Sequence, residues 1–147
     1  MLDGSFTVKV DEKGRVKIPS EFRRLIQDRF GDGDFYVTSV QGDCARLYPV
    51  RVWQDVMDKL NAEPSSKPPV RKFRRGTSYY GQRASVDPQG RLLIHPRLRI
   101  DAGLDEEVVV IGQRDYLEVW NHKKFKETMQ ADPMKPEDED YLASRGL

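Results

Sequence analysis

The chain of 147 residues has one cysteine, Cys44, only two histidines, and no apolar run long enough to cross a bilayer. A single cysteine excludes an intramolecular disulfide framework and fits a reducing compartment, the cytoplasm. Cys44 reads as a small, partly buried hydrophobe rather than a reactive thiol. With so few histidines and cysteines there is no metal-spaced cluster. There is also no Ser/His/Asp set and no glycine-rich phosphate loop, so no catalytic residue, metal or cofactor is expected. The N-terminus lacks the basic-then-apolar pattern of a signal peptide, and no membrane partner is expected. Nor does one sign of charge dominate: 25 Lys and Arg face 24 Asp and Glu, a formal net charge of +1. Divided, the balance is informative. Residues 1–80 hold 15 cations against 11 anions, and residues 81–147 hold 10 against 13. Such asymmetry hints at a polyanionic partner on the N-terminal side.

What the chain does have is a repeated motif. Asp11-Glu-Lys-Gly-Arg15 recurs as Asp87-Pro-Gln-Gly-Arg91, 76 positions later. Gly14/Gly90, Ile18/Ile94 and Arg23/Arg99 recur in the same register. A repeat of this period implies two copies of one supersecondary unit, each too small to bury a core alone. Around the first motif, Phe6, Val8 and Val10 alternate with Thr7 and Lys9, as do Val16 and Ile18 with Lys17. The pattern predicts a hairpin, apolar inside, with Lys9, Arg15 and Lys17 outside and Lys13 at its tip.

The remaining elements follow in matched order. Ser20 reads as the N-cap of a helix that carries Phe22, Leu25, Ile26 and Phe30 and stops at Gly31, with Arg24 off its apolar stripe. Residues 35–40 and 45–48 read as strands, and 50–60 as a helix with Trp53, Val56, Met57 and Leu60 on one face. A Pro- and Ser-rich linker, 61–69, leads into Arg71-Lys-Phe-Arg-Arg75, which reads either as a basic phosphate-contacting element or, slightly favoured, as the exposed side of a short helix packing Val70 and Phe73. The second copy repeats the plan: a hairpin over 84–94, a helix from Pro96 to Gly103, strands over 108–111 and 116–120, and a helix capped by Asn121. This divides the chain into a first repeat at 1–60, a linker with a basic segment at 61–80, a second repeat at 81–130 and a mobile acidic tail at 131–147.

DEKGRVKIPSEFR at 11–23 and DPQGRLLIHPRLR at 87–99, supported by LYPVRVW at 47–53 and VVVIGQRDYLEVW at 108–120, resemble the MraZ family of bacterial transcriptional regulators. The resemblance covers about residues 5–130. It implies an α+β fold, a tandem pseudo-twofold swapped-hairpin β-barrel of the AbrB/SpoVT type decorated with short helices, in which one chain supplies both interlocking copies. It further implies a homo-oligomeric ring, an octamer or larger, associated with the nucleoid. The ring would bind double-stranded DNA at short repeats upstream of the division and cell-wall gene cluster that contains the regulator's own gene. His95 stands where the family has proline and is expected to loosen that turn.

Comparing the copies separates scaffold from function. Asp11, Gly14, Asp87, Gly90 and Arg91 persist and are assigned to the turn structure. Lys9, Lys13 and Lys17 become Ser85, Gln89 and Leu93, which points to the first hairpin as the DNA-facing one. Lys9, Lys17 and Arg24 are then candidates for phosphate contacts. Lys13 or Arg15 could read a guanine edge in the major groove. Arg15 has an alternative role as the structural partner of Asp11. Leu93 on an outward position suits contact with a neighbour. Two other readings compete. A toxin-neutralising antitoxin is disfavoured by the second copy, and a ring without DNA specificity would bind all duplexes alike. Asp11 and Asp87 could form a catalytic carboxylate pair, but each has its own arginine four residues on.

Overall fold

The computed structural model describes residues 1–147. It is an α+β arrangement of eight strands and six helices. In chain order these are β1 (Ser5–Lys9), β2 (Arg15–Lys17), α1 (Ser20–Phe30), β3 (Phe35–Thr38), β4 (Ala45–Pro49), α2 (Val50–Asn61), α3 (Pro68–Tyr79), β5 (Gln82–Ala84), β6 (Arg91–Leu93), α4 (Pro96–Ala102), β7 (Glu107–Gly112), β8 (Leu117–Asn121), α5 (His122–Ala131) and α6 (Pro136–Ala143). Six strands form one antiparallel sheet in the order β1-β7-β8-β4-β3-β5, and β2 and β6 form a separate two-stranded ribbon.

The order shows how the repeat is used. Exchanging the copies swaps β1 with β5, β7 with β3 and β8 with β4, which turns the sheet order into its own reverse. A pseudo-twofold axis therefore runs between β4 and β8 and through the ribbon. The first strand of each copy pairs with the other copy: β1 lies along β7 with Val8 opposite Val108, and β5 lies along β3 with Phe35 opposite Ala84. In the ribbon Val16 faces its own equivalent, Leu92. This corrects the expectation of a self-paired hairpin at each motif. The 11–15 segment does reverse the chain, with Asp11 N–H donating to the Arg15 carbonyl at 3.0 Å, but β1 and β2 then part to different sheets. The expected closed barrel is also not formed. The sheet ends in edges at β1 and β5, because the ribbon strands pair with each other rather than with those edges.

Alternation along the strands builds two packing layers. Phe35, Val37, Ala45, Leu47, Leu117, Val119, Val108 and Val110 project to one side, where they meet Val16, Ile18, Leu92 and Ile94 of the ribbon segments and Phe22, Ile26, Leu98 and Ala102 of α1 and α4. Each such side chain contributes on the order of 1.5–3 kcal/mol by leaving water. A two-stranded ribbon is marginal by itself. Here its inner face is sealed, and its hydrogen bonding is extended by Ile18 N–H to the Gly90 carbonyl (2.9 Å) and Ile94 N–H to the Gly14 carbonyl (3.2 Å). On the other side of the sheet, Tyr36 stacks on Trp53 of α2, Tyr48 tilts against the same indole and stacks on Tyr116, and α3 covers β3. The Thr38 hydroxyl donates to the Thr77 carbonyl at 2.8 Å. Gly76 lies so close to the Val40 carbonyl that any side chain there would overlap it.

At the axis of the sheet the equivalent positions are Arg46 and Glu118, directly paired across β4 and β8 and 4.0 Å apart at their charged ends. Identical charges at these two positions would repel across the strands, so divergence to opposite signs stabilises the pairing. Cys44 is buried nearby, and burial together with Glu118 and Asp43 pushes its thiol far up from the ordinary range, so it stays protonated and inert.

Local differences from the sequence reading have local causes. Pro19, not Ser20, is the residue preceding α1, and Ser20 is already helical with no capping bond. The basic segment does form a helix packing Val70 and Phe73, and it is longer than expected, running from Pro68. The stretch read as an acidic tail contains α6, begun by a proline and by Asp138, whose carboxylate accepts the Lys135 backbone N–H at 3.0 Å. His95 holds backbone angles (φ −63°, ψ 151°) close to those of Pro19 (φ −51°, ψ 134°), so the turn it was expected to loosen keeps its shape.

Because Leu92 is fully buried at the centre of the ribbon, Leu92→Ala should lower unfolding free energy by about 2–5 kcal/mol in urea denaturation. Lys17→Ala, on the exposed face of the partner strand, should stay within about 0.5 kcal/mol of the parent.

Candidate nucleic-acid interface

The two motif turns are built alike. Asp11 Oδ1 accepts the backbone N–H groups of Lys13 and Arg15, both at 2.9 Å, and Oδ2 accepts Arg15 Nε–H at 2.7 Å. Asp87 accepts Gln89 and Arg91 N–H at 2.9 Å and Arg91 Nε–H at 3.0 Å. Gly14 (φ 82°) and Gly90 (φ 81°) take the left-handed conformation that the turns require. Pairing of β2 with β6 brings the turns together and adds crossed contacts, Arg15 Nη1 to Asp87 Oδ2 at 3.9 Å and Arg91 Nη1 to Asp11 Oδ2 at 3.8 Å. The result is a square of two carboxylates and two guanidiniums about the pseudo-twofold axis.

A second pair of arginines locks the square from outside. Arg99 of α4 donates to the Ile94 carbonyl (3.1 Å) and the Lys13 carbonyl (3.4 Å), filling the space a side chain on Gly14 would need. Arg23 of α1 donates to the Ile18 carbonyl (3.2 Å) and lies against Gly90 in the same way. Their recurrence in register was visible in the sequence. That each would reach the glycine of the other copy was not.

The predicted contact residues fall into two groups. Lys13, Lys17 and Arg24 are exposed, and none has a carboxylate within 4.0 Å. Lys13 stands at the turn tip. Lys17 lies on the ribbon's outer face opposite Arg91, and Arg15 lies opposite Leu93. Arg15 differs from the lysines: its side chain is only 27% exposed and is committed to Asp11 and Asp87. Lys9 is exposed too, but it sits on edge strand β1 opposite Glu107, in an acidic neighbourhood rather than on the ribbon. The structure thus gathers Arg15, Lys17, Arg91 and the apolar Leu93 on one ribbon face, with Lys13 at its end, and leaves Lys9 apart.

In the second copy the equivalents of Lys13, Lys17 and Arg24 are Gln89, Leu93 and Ile100. Leu93 is 49% and Ile100 73% exposed, so the scaffold presents a cationic set and an apolar set at equivalent positions. No group of three His, Cys, Asp or Glu side chains is arranged to hold a metal, and no helix is long and apolar enough to cross a membrane. The His95 imidazole is half-buried with Nε2 unpartnered. Burial holds its pKa below the usual histidine value, and Arg97 and Arg99 add to this, so it is neutral at neutral pH.

Comparison with known proteins places this geometry. The family model described as "MraZ protein, putative antitoxin-like" matches residues 1–76 and 82–142. The chain belongs to the MraZ family. It is 43% identical to the protein named transcriptional regulator MraZ of Acidobacterium capsulatum and 40% identical to that of Koribacter versatilis, in each case over the full length of both chains. It is 36% identical to the protein of the same name from Thermomicrobium roseum, over 85% of this chain and 84% of that one. The two matched segments are separated by residues 77–81, the last residues of α3 and the two that precede β5.

The square also sets an acid limit. Backbone hydrogen bonds from Arg15 and Arg91, with the guanidiniums beside them, hold the Asp11 and Asp87 carboxyls below their ordinary range. A carboxyl whose folded pKa is depressed stabilises the fold above its unfolded pKa, about 3.9, and that contribution is lost as pH falls through the folded value. Thermal unfolding followed by circular dichroism should therefore show stability falling below about pH 4. The Asp11→Asn/Asp87→Asn double variant, less stable at pH 7, should show a shallower decline.

Proposed function

We propose that this protein is a transcriptional regulator that binds duplex DNA through the outer face of the β2–β6 ribbon. The observation that carries the reading is the unequal decoration of an equal scaffold. The two copies preserve the turn, the square and the core, and they differ where they face outward, cationic in the first and apolar in the second. The names of the relatives point the same way.

Lys17 and Arg24 act on phosphates, releasing counterions. Lys13, free at the tip of a ribbon that a major groove can admit, reads base edges. Arg15 and Arg91 hold the ribbon in shape first and add positive potential second. Lys9 contributes at the flank, weakened by Glu107. The exchange of β1 and β5 between copies supports a swapped-hairpin scaffold of the AbrB kind. Ile100 of α4 supplies an apolar surface on which a neighbouring copy packs, closing a homo-oligomeric ring of octameric or larger size, while Leu93 shares the ribbon face with Arg15 and Lys17. A ring presents several ribbons at once, so repeated short DNA sites are bound with the gain of effective concentration. The targets are repeats upstream of the division and cell-wall gene cluster that holds its own gene, and the setting is the cytoplasmic nucleoid.

Fluorescence anisotropy with DNA from upstream of its own gene, against a scrambled duplex, tests this. Lys13→Ala should lose about 1–3 kcal/mol of preference for the upstream DNA. Lys17→Ala should weaken both duplexes alike and lower the slope of log affinity against log salt by about one for each site engaged. Equal affinity of the wild type for both duplexes would leave a non-specific ring, and no affinity for either would overturn the DNA reading.

A further inference from the structure

A second cationic surface lies away from the ribbon. Between Glu63 and Asp87 the chain has no acidic residue, yet it carries Lys67, Arg71, Lys72, Arg74, Arg75 and Arg83. Four of these are on α3. Its inner face, Val70, Phe73 and Thr77, is docked on the sheet, which turns Arg71, Lys72, Arg75 and Tyr79 outward together. None of the α3 cations has a carboxylate within 4.0 Å. Arg71 and Arg74 cap nearby oxygens of Ser66 and Asn61, whereas Lys72 and Arg75 have no hydrogen-bond partner.

The patch extends onto α4. Arg97 lies 4.4 Å from the centroid of the Tyr79 ring, which is 54% exposed, and donates to the Tyr79 carbonyl at 3.2 Å. Both polar and cation–π contacts hold this guanidinium at the surface beside the C-terminal end of α3. Arg97 is only four residues beyond Leu93 of the ribbon, so the cationic surface on the far side of the sheet is joined to the ribbon side at this point. In chain order the counterpart in the second copy is α6, which buries no side chain and carries Glu137, Asp138, Glu139 and Asp140 after its first proline. As on the ribbon, the first copy is basic where the second is not.

We infer that the outward face of α3, with Lys72, Arg75 and the Tyr79–Arg97 pair, is a second DNA contact that grips the phosphodiester backbone without reading sequence. The inference rests on the DNA reading above and adds a sequence-independent surface to it. Unpaired, fixed cations on a rigid helix suit phosphates, because no internal ion pair must break before they bind. The ribbon then supplies preference and α3 supplies affinity common to all duplexes.

The test is anisotropy on the full-length oligomer with the upstream and scrambled duplexes across a salt series. Lys72→Gln/Arg75→Gln should weaken both duplexes by the same factor, about tenfold or more near 0.1 M salt, and reduce the salt slope by about two per engaged site. Arg97→Gln should act in the same direction. Lys123→Gln/Lys126→Gln on α5 makes the same change in net charge elsewhere and should leave the slope unaltered. A double α3 variant with wild-type slope and affinity, while the wild type still prefers its upstream DNA, overturns this inference and leaves the ribbon reading intact. Loss equal to that of the α5 control would make it a net-charge effect and also overturn it. A wild type with no affinity for any duplex overturns both.

Discussion

The Asp11–Arg15–Asp87–Arg91 square is the constraint on which the rest of the molecule depends. Each half could form within its own turn, since the aspartate needs only the two N–H groups and the arginine that follow it. The crossed contacts of 3.8–3.9 Å exist only when both copies are present and correctly paired. All four groups remain about 30% exposed, so the direct Coulomb gain is modest. The larger effect is geometric. By fixing two tight turns side by side, the square sets the register of a ribbon only three residues long on each strand, and Arg23 and Arg99 brace each turn from the opposite copy. Ribbon register then decides that Val16 and Leu92 point inward, and a slip of one residue would put Lys17 and Leu93 into the core instead.

The same logic interlocks the two halves of this duplicated chain instead of leaving them as two beads. Every first strand is paired outside its own copy, and the two-sided core contains ribbon, sheet and helix residues from both. Neither repeat could bury Val16 or Leu92 alone. Long-range pairing of this sort raises the loop-closure entropy that must be overcome before stabilising contacts form. The tight local turns offset part of that cost by pre-forming the segments that meet.

Much of this was legible in the sequence. The recurrence of Asp, Gly and Arg located both turns, alternation named Val16 and Ile18 as inward residues, and glycines marked the ends of α1 and α4. The difference between copies singled out Lys9, Lys13 and Lys17, of which Lys13 and Lys17 lie exposed on or beside the ribbon, and Arg24 followed from its place off the apolar stripe of its helix. What alternation cannot specify is which strand lies alongside which, because every inward-facing strand satisfies the same pattern. Thus β1 was expected against β2, whereas its partner is β7, nearly 100 residues away. The same blindness to tertiary neighbours hid Glu107 opposite Lys9 and the second carboxylate beside Arg15. Ser20 was expected to cap α1 from its side-chain chemistry alone, but its backbone is already helical, one residue past Pro19.

A duplicated scaffold with a pseudo-twofold axis creates pairs of equivalent surface positions, and what happens at each pair depends on how far it lies from the axis. On the axis the two positions touch, so they must be compatible with one another. The buried pair Val16–Leu92 stays apolar, and the largely buried pair Arg46–Glu118 takes opposite charges. Away from the axis the members of a pair do not meet, so each can answer to a different partner without disturbing the fold. Arg24 and Ile100 diverge in this way. Function is free to be asymmetric where the scaffold does not require symmetry. That is why the square, the glycines and the core keep their identity or apolar character while the outward residues carry the difference between the two faces.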